Sequence, residues 1–280
     1  MSRDARPGSD VWLDGLPGTD AWIEAQDAPD VPPCLTIEGV SKRFGRRQAL
    51  ANVSLAVGVG EIVGLVGTSG SGKSTLARCI VGLERRDAGL ITWLGKPLPP
   101  SGPDRETRQA IQIVFQDPRT SLNPRWTIRQ TVFEPLTNWG DRDRGRLEAT
   151  ARDLLGQVDL LPEHLDRYPH ELSTGQCQRI CIARALATEP LLLILDEPLS
   201  ALDVSLQAQV LDLLRRLHAD LGVSMLFVSH DLPVVADLCH RIVVLRAGEV
   251  VDTLTREQFL AGAAHPFTRA LIADSPISPV

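Results

Sequence analysis

Residues 62–76 read IVGLVGTSGSGKSTL, a short apolar run that meets a glycine-rich loop and then a helix-compatible stretch. Gly67, Gly72, Lys73 and Ser74 fit G-x-x-x-x-G-K-[ST], and the intervening Thr68, Ser69, Gly70 and Ser71 are all small. Such a loop lets successive backbone N–H groups curl around phosphate oxygens, while the helix beginning near Lys73 aims its positive end at the same anion. In this pattern Lys73 reaches the β- and γ-phosphates of a nucleotide. Ser74, followed by Thr75, offers its hydroxyl to Mg²⁺, a hard cation that takes oxygen ligands. The competing reading is a glycine-rich turn without a ligand. The β-branched run before it and the helical STLARCIVGL after it favour phosphate.

The chain is long enough to bury a core, and 43% hydrophobic with 23% charged residues is ordinary for a globular protein. The net charge of −6 is unevenly placed: residues 1–33 hold seven acids against Arg3 and Arg6, which leaves only −1 for the remainder. A chain so nearly neutral lacks the clustered positive charge of a nucleic-acid footprint. No stretch approaches the roughly 18 apolar residues of a membrane helix, and the start has no basic, then apolar, leader pattern. A soluble, cytoplasmic chain is the expectation. The five cysteines are odd in number and scattered, which predicts reduced thiols. Cys177 and Cys181 share a helix face but make a poor metal site without further ligands.

Residues 1–33 are rich in Pro, Gly and Asp and are expected to form a disordered acidic tail. Within them DVWLD and DAWIE repeat an acidic-aromatic patch around Trp12 and Trp22, a docking segment on one reading and an extension without a role on the favoured one. From Cys34 onward LTIEGVSKRF and QALANVSLAVGVGEIVGLVG read as strands with a turn at Gly58–Gly60, and LITWLG as another, with PLPPSGPDRE a surface connection. IQIVFQ (111–116) reads as a buried strand ending in Gln116. Residues of about 117–182 read as an inserted helical subdomain. LLLILDEP (191–198) is again a strand, and Leu206, Val210, Leu214, Leu217 and Leu221 mark a helix stopped by Gly222. SMLFVSH ends in His230, and RIVVLRAGEVVD reads as a hairpin about Ala247-Gly248. Apolar strands alternating with helices predict a mostly parallel core sheet with its ligands at the strands' carboxyl ends.

Asp196 and Glu197 follow four aliphatic residues, so the strand carries two carboxylates to the phosphate end of the sheet. Strand alternation predicts separate jobs: Asp196 holds Mg²⁺ through water, and Glu197 faces the γ-phosphate and polarises the attacking water. Gln116 and His230 close neighbouring strands, the amide suited to metal or water and the imidazole to the γ-phosphate. A lone Gln or His at a strand end is usually a satisfied polar side chain. Beside a phosphate loop and an acidic strand end the functional reading is the better one.

Together GTSGSGKST, Gln116, LSTGQ, ILDEP, SALD and His230 resemble, in order and spacing, the nucleotide-binding subunit of an ABC transporter, over residues 35–253. More narrowly, VFQDPRTSLNPRWTI, RYPHEL, SALDVSLQAQVLDLL and HPFTRALI resemble the ATPases of oligopeptide, dipeptide and nickel import systems. The resemblance implies an ABC ATPase domain over residues 34–280, with an N-terminal antiparallel β subdomain, the inserted helices and a C-terminal segment from about residue 254. It implies ATP and Mg²⁺ as ligands and a head-to-tail dimer with a second ABC ATPase subunit. It implies two transmembrane permease subunits, an extracytoplasmic solute-binding protein acting indirectly, and a place on the cytoplasmic face of the membrane, with no nucleic acid. Each ATP then lies between the phosphate loop of one subunit and Ser173, Gly175 and Gln176 of the other, Asp203 matches the loop that crosses to the partner's site, and Phe44 matches the aromatic residue that stacks on adenine.

One residue departs from the resemblance. The family usually has glycine where this chain has Thr174, and a β-branched residue resists a positive φ. Either the backbone there is ordinary or the contact to the partner's nucleotide is weakened. A kinase or GTPase is disfavoured by LSTGQ with SALD. A nucleic-acid or ribosome-acting relative usually carries two such domains or a long coiled coil, and an exporter often carries fused membrane helices; neither feature is in this sequence.

Overall fold

A computed structural model describes residues 33–275, so the acidic stretch with Trp12 and Trp22 lies outside the described residues. Among the described residues, ten strands form two sheets: β1 (Leu35–Phe44), β2 (Arg47–Val57), β3 (Ile62–Val66), β4 (Ala88–Trp93), β5 (Lys96–Pro97), β6 (Ile111–Val114), β7 (Leu192–Asp196), β8 (Ser224–Ser229), β9 (Arg241–Arg246) and β10 (Glu249–Thr255). The first sheet is antiparallel in the order β2-β1-β4-β5. The second runs β10-β9-β3-β8-β7-β6, parallel throughout except for the β9–β10 hairpin, whose turn places Ala247 and Gly248 at positive φ.

The continuous apolar runs have a simple cause: both faces of the parallel sheet are covered. Val63, Leu65, Leu192, Ile194, Leu226, Val228, Val243 and Leu245 pack toward the antiparallel sheet and α1 (Lys73–Ile80). Ile62, Val66, Leu193, Leu195, Met225, Phe227, Ile242 and Val244 pack toward helices on the other face.

Those helices come mostly from the stretch between β6 and β7. After α2 (Arg105–Ala110), which the sequence reading left as part of a surface connection, come α3 (Pro118–Ser121), α4 (Ile128–Asn138), α5 (Arg144–Gln157) and α6 (Thr174–Leu186), the last running four residues beyond the expected 182. Then follow α7 (Val204–Leu221), stopped by Gly222 at φ 66, α8 (Leu232–Leu238), α9 (Arg256–Ala261) and α10 (Pro266–Ala273). No described helix is long and apolar enough to cross a membrane.

All five cysteines are buried and free. Burial pushes the Cys181 thiol up to about 12 and Cys79 to about 11, so they are held as thiols rather than thiolates. Close approach of α8 to β3 depends on a missing side chain: a Cβ on Gly64 would meet Val235 Cγ1 at 2.6 Å and Cys239 Sγ at 3.0 Å. Gly64→Ala should therefore lower stability by about 1–3 kcal/mol, the usual cost of an added methyl in a filled core. A urea titration reads this as a fall in midpoint at unchanged slope.

Candidate functional site

The phosphate loop leaves β3 at Gly67 and enters α1 at Gly72, with Gly67, Gly70 and Gly72 at φ 154, 78 and 112. These are glycine positions for a packing reason as well. A Cβ on Gly67 would collide with the Leu245 carbonyl, and one on Gly72 would meet the Ala49 carbonyl at 2.5 Å. Side chains cap the first turn of each other described α-helix: Asp104, Asp117, Thr127, Asp143, Ser173, Asp203, Asp231, Thr255 and His265. Helix α1 alone begins without a side-chain cap. Its first-turn N–H groups therefore have no side-chain acceptor, an arrangement that suits an anion.

Lys73 is buried and donates to the carbonyls of Gly67 (2.9 Å) and Thr68 (3.2 Å), with Glu197 Oε1 at 3.7 Å. Burial holds its ammonium below the usual lysine range against the pull of Glu197 and Asp196. Ser74 Oγ donates to Asp196 Oδ1 at 2.8 Å, and burial pushes the Asp196 carboxyl above its ordinary range despite that bond. Gln116 Nε2 donates to Glu197 Oε2 at 3.2 Å, and His230 Nδ1 lies 3.3 Å from the same oxygen. Lys73, Ser74, Gln116, Asp196, Glu197 and His230 thus form one connected cluster at the carboxyl ends of β6, β7 and β8.

Two expectations need correction. β6 ends at Val114 and β8 at Ser229, so Gln116 and His230 sit in the loops just beyond their strands rather than closing them. β7 ends at Asp196, and Glu197 is turned aside by a left-handed backbone at φ 49, not by strand alternation. Its N–H donates to Val228 O at 3.0 Å, which holds this sparsely populated conformation in place.

A second group lies at the start of α6. Ser173 caps the helix: its Oγ accepts from Gln176 N (3.2 Å) and Gln176 Oε1 accepts from Ser173 N (2.9 Å). Thr174 is the first helical residue and is not at positive φ, so its backbone is ordinary. Gly175 is buried against Leu206, whose Cδ2 would lie 3.1 Å from an added Cβ. Asp203 caps α7 through Leu206 N at 2.9 Å. Among the described residues, no direct hydrogen bond or ion pair joins Ser173, Gly175, Gln176 or Asp203 to the Glu197 cluster.

Phe44 is 44% exposed at the end of β1, with the Lys42 ammonium 4.9 Å from its ring centroid. Its cross-strand partner Arg47 reaches the Gly70 carbonyl at 3.5 Å, so the exposed ring and the phosphate loop share one surface. Sequence reading missed Arg47, and it missed Gln207, whose Nε2 donates to Leu199 O (3.1 Å) and Leu202 O (3.2 Å) across the loop after Glu197. The hairpin register could have found Arg47; nothing in the pattern marks Gln207.

The sequence profile described as ABC transporter matches residues 50–200. The chain is 46% identical over 233 residues to the oligopeptide transport ATP-binding protein OppF of Escherichia coli K12, covering 82% of this chain and 70% of that one. It is 44% identical over 250 residues to a putative peptide import ATP-binding protein of Brucella ovis, covering 87% and 79%. Among solved structures, the dimeric post-hydrolysis state of the ATP-binding cassette MJ0796 bound to ADP and Pi superposes with a TM-score of 0.71 at 30% identity, over 79% of this chain and 98% of that one.

The buried Asp196 gives a test by acidity. Its carboxyl is raised in the fold above its unfolded value, so ionisation opposes folding at neutral pH and ceases to do so as pH falls through the folded value. Asp196→Asn should melt higher than the wild type at neutral pH, and the gap should close on acidification. Thermal unfolding across that range measures it.

Proposed function

This chain belongs to the ABC transporter family, and on that premise we propose that it is the subunit that binds and hydrolyses ATP to drive peptide import. Supporting this reading most directly is the placement of Glu197. Its carboxylate is turned out of the strand toward Lys73, Gln116 and His230, the side chains suited to handle a γ-phosphate and a water. The names of the relatives, oligopeptide transport and peptide import ATP-binding proteins, support the cargo class.

The proposed division of labour follows from the chemistry of each group. The N–H groups of residues 67–75 and the uncapped start of α1 hold the phosphates, and Phe44 presents a flat apolar face to the base. Lys73 exchanges its loop carbonyls for phosphate oxygens. Ser74, Asp196 and Gln116 are oxygen donors that fit Mg²⁺, which when bound supplies charge neutralisation between the phosphates. Glu197 accepts the proton of the attacking water, Gln116 orients that water, and His230 donates to the γ-phosphate.

The second group takes the nucleotide of a partner subunit. Ser173 Oγ accepts a bond from Gln176 N and leaves its own hydrogen free, so it can donate to a phosphate oxygen, alongside the N–H of Gly175. Asp203 lies at the start of the neighbouring helix on the same side. A head-to-tail pair of ATPase subunits, seated on membrane permeases at the cytoplasmic face, uses both groups of each chain. The dimeric form of MJ0796 with ADP and Pi supports such a pairing.

Glu197→Gln should bind Mg-ATP and lower turnover by about 10²–10⁴-fold, the usual worth of a general base. It should also accumulate a nucleotide-bound dimer. Steady-state phosphate release and size-exclusion chromatography with ATP check both; undiminished turnover would assign water activation to another group. Thr174→Gly should leave turnover within about twofold, because Thr174 has helical backbone and glycine there costs only about 1 kcal/mol of helix propensity. A several-fold rise would mean that the threonine does weaken the contact.

A further inference from the structure

His164 stands twelve residues before Gln176 in the chain, in the 3-10 turn Pro162–Asp166, outside each motif that the sequence pattern picked out. Its Nε2 lies 3.2 Å from Gln176 Nε2, and its Nδ1 lies 3.0 Å from Leu161 O and 3.1 Å from Leu161 N.

Hydrogen bonding decides the roles. Gln176 Oε1 is committed to the Ser173 N–H, so the amide nitrogen faces the imidazole and must be the donor. His164 Nε2 is then the acceptor, which puts the ring proton on Nδ1, where it donates to the Leu161 carbonyl; in that tautomer Nδ1 gives up the Leu161 N–H, which is otherwise directed at it from 3.1 Å. The amide of Gln176 cannot flip without setting an NH₂ against the Ser173 N–H and an oxygen against the imidazole lone pair. One connected line therefore runs from Leu161 through His164 and Gln176 to Ser173.

We propose that His164 is a positioning residue for the Ser173 half-socket, holding the Gln176 amide so that the Ser173 hydroxyl keeps the rotamer that receives the partner's phosphate. The inference rests on the reading of Ser173 and Gly175 as that half-socket. His164 itself touches no nucleotide in this account. It acts through Gln176, and its loss frees an amide that can swing away and leave the capping box open. The effect belongs to ATP-dependent pairing of two chains. Nucleotide binding at the chain's own phosphate loop should not depend on it.

The test uses the full chain in the Glu197→Gln background, with dimerisation against ATP concentration read by light scattering after size exclusion. His164→Leu should raise the ATP concentration for half-dimerisation about threefold to tenfold, the scale of one hydrogen bond. His164→Gln, whose Oε1 can accept from the same amide, should return it to within about twofold. ATP affinity of the monomer should be the same in all three. His164→Phe, which keeps ring bulk without the acceptor, replaces the leucine variant if that one does not fold. A leucine or phenylalanine variant that dimerises like its parent overturns the proposal, as does a glutamine variant as impaired as they are. If Glu197→Gln itself forms no ATP-dependent dimer, the half-socket reading has failed first and takes this inference with it.

Discussion

Everything at the nucleotide end of the molecule depends on a loop with no room for side chains at two points. Gly67 lies against the Leu245 carbonyl and Gly72 against the Ala49 carbonyl, so residues of β9 and β2 line the underside of the same six-residue turn. Two further bonds finish the joint: Gly248 N donates to Ser71 O and Ala51 N to Gly248 O, both at 2.8 Å. The loop is thereby one of the places where the antiparallel and the parallel sheets are bound to each other. A larger residue at either glycine would separate the sheets as well as fill the cradle, which makes fold and ligand site the same constraint.

With that joint in place, the unsatisfied groups are unevenly distributed. Among the described α-helices, nine close their first turns with side chains, and the one that does not is the helix pointing out of the loop. Burial holds the Lys73 ammonium below and the Asp196 carboxyl above their ordinary ranges, and Glu197 keeps a left-handed backbone that is uncommon for a non-glycine residue. Local strain and local polarity thus concentrate in one place, as they do at functional sites.

Much of this was legible in the residues. A five-residue apolar strand such as Ile62–Val66 can be continuous only if both faces are covered, and that alone points to a parallel sheet between layers. Apolar residues at helical spacing from Leu206 to Leu221 marked a helix, and Gly222 marked its stop. The illegible parts are those set by tertiary partners. The turn at Glu197 depends on Val228 of a strand thirty-one residues away, and no local propensity encodes it. Helix α2 was hidden in a proline-rich stretch because its cap, Asp104, follows Pro103 directly. Gln207 and His164 are ordinary polar residues whose meaning comes only from the carbonyls and amide that the fold brings to them.

The two chemical groups, although no direct polar bond joins them among the described residues, are not mechanically independent. Ser200 donates to Glu197 O through both its N–H (3.3 Å) and its Oγ (3.0 Å), fixing the first turn after the carboxylate. Gln207 then clamps the carbonyls of Leu199 and Leu202, Asp203 caps the helix through Leu206 N, and Leu206 packs on Gly175. Each link in this path is short, and most are hydrogen bonds with little slack. A displacement of the backbone at Glu197 therefore has to be absorbed within residues 198–206 or passed to the start of α6. Since Gly175 offers only its bare Cα to Leu206, the last contact is a packing surface that can slide, and it is the compliant point between the group that carries the carboxylate and the group built on Ser173.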